Sequence, residues 1–208
     1  MALTFTKATS SKTILDDIPK SRLFEPRVET EVAKPTSVKE ECCESHNDFH
    51  ILNDKWTLWT HLPHDTNWNI DSYKKILTFE YAEQLIALLN TMPEKLVKNC
   101  MLFMMKDSVM PTWEDEQNCN GGCFSYKIPN KQVKSIWNSL CYAVAGETIS
   151  HEPGFIKGIT GLTISPKKNF CIIKIWMKDC ENQNACKIIN IDGLSNQGCL
   201  FKKHLPDF

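Results

Sequence analysis

The chain has no surplus of basic residues. Its 24 Lys and Arg are set against 25 Asp and Glu, a formal net charge of -1. A protein that grips long stretches of nucleic acid needs many cations to neutralise phosphates, so this balance argues against a duplex binder, and DNA is not an expected partner. A reader of one terminal nucleotide needs only a few cations and stays open. No apolar run reaches membrane-spanning length, and no charged start followed by an apolar block opens the N-terminus. Neither a membrane partner nor secretion is expected, and the expected compartment is the cytoplasm. The ten cysteines include no C-x-x-C pair and no His at zinc-finger spacing. Cys42 and Cys43 are adjacent, Cys119 and Cys123 enclose Asn120, Gly121 and Gly122, and Cys180 and Cys186 are similarly ill-spaced. In a reducing compartment these thiols are expected to be free, with no metal and no resident cofactor. A Gly-rich phosphate loop is missing too, and no His or second carboxylate cluster stands at a catalytic spacing. The chain is therefore not expected to be an enzyme.

What is present divides in two. Residues 1–45 are polar and contain Pro19, Pro26 and Pro35, a composition that cannot bury a core. They are expected to be a disordered tail, with Arg22, Leu23 and Phe24 as a small apolar island. Residues 46–208 carry the folded domain. Trp56, Leu58 and Trp59 suggest a strand, and Tyr73, Ile76 and Leu77 a second. Thr78 is placed to cap a helix running to Asn90. Cys100 to Met105 is an apolar run, a buried strand, and Phe124 to Ile128 resumes strand character after the Gly121-Gly122 turn. Val133, Ile136, Trp137, Leu140 and Val144 fall at helical spacing within Lys131–Ala145, which Gly146 ends. Ile159–Ser165 and Asn169–Met177 read as a hairpin joined by Pro166-Lys167-Lys168. A weak helix is expected over Asn182–Ile191 and a last strand over Cys199–His204. The fold class is α+β: one curved, mainly antiparallel sheet with helices packed on its convex face, in a single domain.

Six tryptophans supply the chemistry: Trp56, Trp59, Trp68, Trp113, Trp137 and Trp176. Core packing is the plain reading for Trp56, Trp59 and Trp137. Trp68 follows Asp65-Thr66-Asn67 in a loop setting, where a core Trp is less expected. Trp113 is followed at once by Glu114. Two indole faces can sandwich a flat ring, and a carboxylate accepts only donors, such as guanine's N1–H and exocyclic amino group. A cationic ring is attracted further by π-faces. 7-Methylguanine has all three properties. Glu114, Asp115 and Glu116 could instead hold Mg²⁺ in a nucleotide hydrolase, although Asp115 and Glu116 are expected to be structural.

Several stretches resemble one family. His50-x-Leu52-x3-Trp56-x-Leu58-Trp59, Trp68, Pro111-x-Trp113-Glu114-Asp115-Glu116 with Asn118 and Gly121-Gly122, Trp137 through Gly146-Glu147, and Trp176 with Asp179-Cys180-Glu181-Asn182 occur in the order seen in the 4E family of eukaryotic translation initiation factors, the mRNA cap-binding proteins. The resemblance implies that Trp68 and Trp113 sandwich the 7-methylguanine, that Glu114 accepts from its N1–H and amino group, and that Trp176 packs on the N7-methyl. It places one phosphate-binding cation at Lys167. A second falls on Ile172, which cannot serve, and a third, after the Gly-Gly turn, falls on Cys123, while Phe124 stands where the family usually carries Trp. Because Lys174 shares a strand face with Trp176, Lys174 and then Lys168 are the expected substitutes.

The convex face departs further from the family. The family docks a helical peptide of a scaffold protein there. The matching positions here are His50, Ile51, Ala82, Ile86, Asn138 and Tyr142, and the exposed Trp that usually anchors the peptide is replaced by Ile86. The implied partners are the mRNA cap and a divergent helical peptide, and the implied activity is recruitment of capped mRNA for translation, or sequestration of the cap. The Lys-, Asn- and Ile-rich composition with these departures fits a divergent eukaryotic lineage or a large virus infecting one, which would place the protein in the host cytoplasm.

Overall fold

Alternation of apolar and polar side chains builds one sheet along this chain, and the sheet has two different faces. A computed structural model of the chain describes residues 49–204; the tail expected over 1–45, with its apolar island, lies outside the described residues. The strands are β1 (Ile51–His61), β2 (Lys74–Tyr81), β3 (Met101–Lys106), β4 (Gly122–Pro129), β5 (Ile159–Pro166), β6 (Phe170–Met177) and β7 (Leu200–Lys203). They form one seven-stranded sheet in the order β2-β1-β3-β5-β6-β4-β7, and every pairing is antiparallel. The helices are α1 (Ala82–Thr91), α2 (Glu94–Asn99), α3 (Val133–Ala145) and α4 (Pro153–Lys157).

Period-two alternation assigns the faces. Trp56, Leu58, Leu102, Met104, Phe124, Tyr126, Ile173 and Ile175 point to one side, where Leu85, Leu89, Val97, Ile136, Trp137 and Leu140 of the helices cover them in the main core. The intervening residues Phe103, Met105, Cys123 and Trp176 form a second, smaller cluster on the other side, with Trp59, Tyr73 and Met101 packed against it. Among the described residues no helix contributes to this second cluster, so the curved sheet keeps an open side there.

Two local expectations are corrected, and two short helices are added. Thr78 is not a helix cap: it lies in β2 opposite Thr57, with their hydroxyl oxygens 2.8 Å apart. The strand runs on because Phe79 is buried opposite Trp56. The helix starts four residues later, where Gln84 Oε1 accepts from the backbone N–H of Glu80 and Tyr81. Asn182–Ile191 is not a helix beyond a single 3-10 turn at Ala185–Lys187. Its backbone pairs elsewhere, with Ser150 bridging to Ile188 and the Ile189 N–H donating to the Ile149 carbonyl, which lets Ile188, Ile191 and Leu194 reach the core. The short helices α2 and α4 have no counterpart in the sequence reading, because each is barely longer than one turn and shows no period.

Candidate functional site

The open face holds a cleft of about 400 Å³. Its floor is Trp176, buried at 7% exposure, whose indole Nε1–H donates to Thr163 Oγ1 at 3.0 Å. Trp68 and Trp113 also line it, and they are 55% and 47% exposed. The β1–β2 loop presents Trp68. His61, the last residue of β1, stacks under it with centroids 4.0 Å apart and planes within 2°. The imidazole is itself pinned, with Nε2 2.8 Å from the Asn67 carbonyl oxygen and an edge contact to Tyr73. One face of the Trp68 indole is therefore backed by protein and the other is left accessible. Trp56 and Trp137 are core residues, and Trp59 packs beneath the cleft, all three in keeping with the packing reading.

Trp113 and Glu114 sit on the loop between β3 and β4, and two short side chains shape it. Asp115 Oδ2 accepts from the Met110 N–H at 2.9 Å, and Oδ1 accepts from the Gln117 N–H at 2.8 Å. Asn118 is fully buried, and its amide donates to the carbonyl oxygens of Met110 and Thr112, at 3.2 and 2.8 Å. These bonds fold the segment back so that Trp113 and Glu114 project at its tip, exposed. Gly121 closes the loop: a Cβ there would overlap the Met177 carbonyl oxygen, so no larger residue fits against the end of β6. Asp115 is thus structural. Its oxygens are committed to backbone donors, and among the described residues no group of three or more His, Cys, Asp or Glu gathers to hold a metal. The hydrolase alternative built on residues 114–116 has no support.

Glu114 acts electrostatically on Tyr73. Burial first, and then the Glu114 carboxylate, push the Tyr73 phenol up, so it stays protonated and able to donate. At the opposite wall His204 leans over Trp176, centroids 4.6 Å apart. Its Nδ1–H donates to the Asn118 carbonyl oxygen at 2.7 Å, since a carbonyl only accepts. Burial holds this imidazole below its ordinary range; the Asn118 bond opposes that shift and nearby Lys174 adds to it. His204 is therefore a neutral clasp between the end of β7 and the Trp113 loop.

The cations are distributed differently from expectation. Lys174 does share the cleft with Trp176. Lys167 and Lys168 do not line it: they lie in the β5–β6 turn, where the Lys167 N–H donates to the Phe170 carbonyl oxygen, and Lys168 borders a separate depression. Lys202 and Lys203 of β7 line the cleft instead. Lys202 stands in register opposite Cys123, so the strand next door brings a cation to the position where Cys123 has none. The sequence marked neither lysine, nor His61 and Tyr73. Strand parity with Trp59 could have found His61, but no local signal announces that β7 pairs with β4.

On the helix-covered side, the expected partner residues lie on neighbouring elements. His50 precedes β1, with Nδ1 2.6 Å from Glu83 Oε1 on α1. Ile51 is 76% exposed, Ile86 on α1 46%, and Tyr142 on α3 37%. Ala82 and Asn138 are half-buried. Phe49, which the sequence reading passed over, is 49% exposed and packs on Tyr81. Among the described residues, most exposed large apolar side chains thus belong to the cleft or to this surface.

Comparison with known proteins agrees with this fold. The profile of the family described as eukaryotic initiation factor 4E matches residues 51–197. The eukaryotic translation initiation factor 4E of Candida albicans is 31% identical over 148 residues, covering 66% of this chain and 69% of that protein. That of Saccharomyces cerevisiae is 29% identical, covering 81% of each. Among solved structures, a schistosome initiation factor 4E in complex with m7GpppG and a 4E-BP superposes with a TM-score of 0.59 at 22% identity, over 65% of this chain and 75% of that one. The Ascaris suum initiation factor 4E-3 in complex with an m2,2,7G cap gives 0.58 at 21% identity, over 64% and 76%.

Proposed function

The chain belongs to the eukaryotic initiation factor 4E family, and from that premise we propose that residues 46–208 form its cap-binding domain, with the open-face cleft as the seat of the 7-methylguanine. The protein binds the mRNA cap for translation initiation and is not an enzyme. The observation that carries the site assignment is a pair of tryptophans left about half exposed across one cleft from a buried third. Large aromatic surface is costly to leave in water without a ligand to cover it.

In this reading Trp68 and Trp113 close on the two faces of the base. Stacking contributes about 1–3 kcal/mol, and the positive ring formed by N7-methylation adds an attraction of about 2 kcal/mol once water is excluded. Glu114 accepts from N1–H and the exocyclic amine, bonds of the stronger, charge-assisted kind. Trp176 packs against the methyl group. Lys174, Lys202 and Lys203 face the triphosphate, so the cations that the family resemblance leaves vacant at Ile172 and Cys123 are made good partly from β7. On the other face, Phe49, Ile51, Ile86 and Tyr142 form the apolar part of a peptide-docking surface, with the His50–Glu83 pair and the half-buried Ala82 and Asn138 at its margin. We place the activity in the cytoplasm, where capped mRNA is translated; among the described residues no helix is long and apolar enough to cross a membrane.

The deciding experiment is a tryptophan-fluorescence titration with 7-methyl-GTP and, in parallel, GTP. Strong saturable quenching by the methylated nucleotide alone is expected. Equal weak quenching by both would remove the cationic-ring sandwich and leave a protein–protein adaptor on this fold. The phosphate assignment has its own test. Lys174→Ala and Lys202→Ala should each weaken 7-methyl-GTP about tenfold while leaving 7-methylguanosine unaffected, one charge-assisted contact being worth about 1.5 kcal/mol. Equal loss for both ligands would show that these lysines do not touch the phosphates.

A further inference from the structure

The open face continues past the cleft as a lysine-bordered aromatic shelf, and we propose that this shelf seats the first RNA nucleotides after the cap. The inference rests on the cap reading of the cleft. β4 and β6 pair without a register break, Cys123 opposite Trp176, Ser125 opposite Lys174, Lys127 opposite Ile172 and Pro129 opposite Phe170. By parity all eight side chains belong to the face that carries Trp176. Each two-residue step advances about 6–7 Å, so Phe170 lies about 13 Å beyond Lys174 along the strand. At that far end a shallow depression is lined by Lys127, Pro129, Lys168, Asn169 and Phe170.

The chemistry of this shelf suits single-stranded RNA. Phe170 is half-buried at the edge of an exposed turn, and the Lys127 ammonium stands 4.5 Å from its ring centroid. A base can take the ammonium's place on the ring, which frees Lys127 for a phosphate. Stacking of this kind tolerates any base, as a protein serving many messages requires. Lys168 brings a second cation and Asn169 a side-chain amide to the same border.

The electrostatic surroundings point the same way. The strands β4, β5, β6 and β7, with the β5–β6 turn, contain no Asp or Glu and six lysines. The overall charge of -1 therefore conceals a separation of charge, with this half of the sheet on the basic side. Lys127 also faces Ile172 across the β4–β6 register, restoring charge to that row. A polyanion leaving the cleft past Lys174 meets Lys127 and no carboxylate of β4 or β6 on its way to Phe170. A peptide partner, lacking a regular run of negative charge, would gain little here.

The test uses the full chain with two ligands, 7-methyl-GTP and a 7-methylguanosine-capped pentaribonucleotide. The capped oligonucleotide should bind more tightly. Phe170→Leu, which keeps apolar bulk but removes the stacking face, should lower oligonucleotide affinity about fivefold or more and leave 7-methyl-GTP unchanged, a result that also shows the variant is folded. Lys127→Ala combined with Lys168→Ala should flatten the log–log salt dependence of oligonucleotide binding by roughly 1.4, two phosphates at about 0.7 each. Equal wild-type affinity for the two ligands, or an equal loss for both in the variants, would overturn the shelf and leave the cap pocket standing. Failure of the wild type to bind either methylated ligand would instead defeat the cap reading on which the shelf depends.

Discussion

Glu114→Gln is expected to lower the affinity for 7-methyl-GTP about 100-fold or more while leaving the fold intact. Glu114 is exposed at the tip of its loop, and among the described residues its carboxylate accepts no hydrogen bond that shapes the segment; that task falls to Asp115 and Asn118. Its removal therefore costs the folded protein little. In the proposed complex the same carboxylate accepts two donors from the guanine edge, each charge-assisted and worth about 1.5–3 kcal/mol. The amide of Gln keeps one acceptor and turns an NH₂ group toward the base's own amine, so one bond is lost outright and the other loses its charge. Trp113→Ala should cost at least as much, because it removes one face of the sandwich. Comparable binding by wild type and Glu114→Gln, measured by the same titration with unfolding checked in urea, would remove Glu114 from the site.

The second large effect is expected at a residue that touches no ligand. Asn118→Ala should destabilise the protein by about 2–3 kcal/mol and weaken cap binding about tenfold or more. Its amide satisfies the Met110 and Thr112 carbonyls from a fully buried position. With the amide gone, two acceptors in a tight loop lose their donor, and the segment that aims Trp113 and Glu114 can relax. Asn118→Asp should do no better despite its matching shape, since a carboxylate offers no donor to those carbonyls. Full cap affinity in Asn118→Ala would mean that Asp115 and Gly121 hold the loop without it.

Much of the fold was legible because it is written in periods. The alternation through Trp56, Leu58 and Trp59, the helical spacing from Val133 to Val144, and the two β-rich runs flanking Pro166-Lys167-Lys168 each name an element. The boundaries that misled had local signals overruled by packing. Thr78 has the chemistry of a helix cap, yet Phe79 beside it is needed in the core opposite Trp56, and the strand extends to satisfy it. Asn182–Ile191 has helix-compatible residues, but its backbone pairs with Ile149 and Ser150.

The side chains proposed for the base can be picked out from the chain alone: Trp68, Trp113 and Glu114 are recognisable because their chemistry is local, a carboxylate beside an indole and an indole in a polar loop. The sequence also determined the strand parity that carries Lys174 to the cleft with Trp176. The placing of the remaining cations depends on how the strands pair. Lys167 and Lys168, favoured by position in the motif, fall in the hairpin turn away from the cleft, and Lys202 and Lys203, remote in sequence, line it. The reason is that a sheet places neighbours by strand pairing. Cys123 meets Lys202 across the β4–β7 ladder and Ile172 meets Lys127 across β4–β6. A charge lost on one strand can therefore be supplied by the strand beside it, and no spacing along the chain records that exchange.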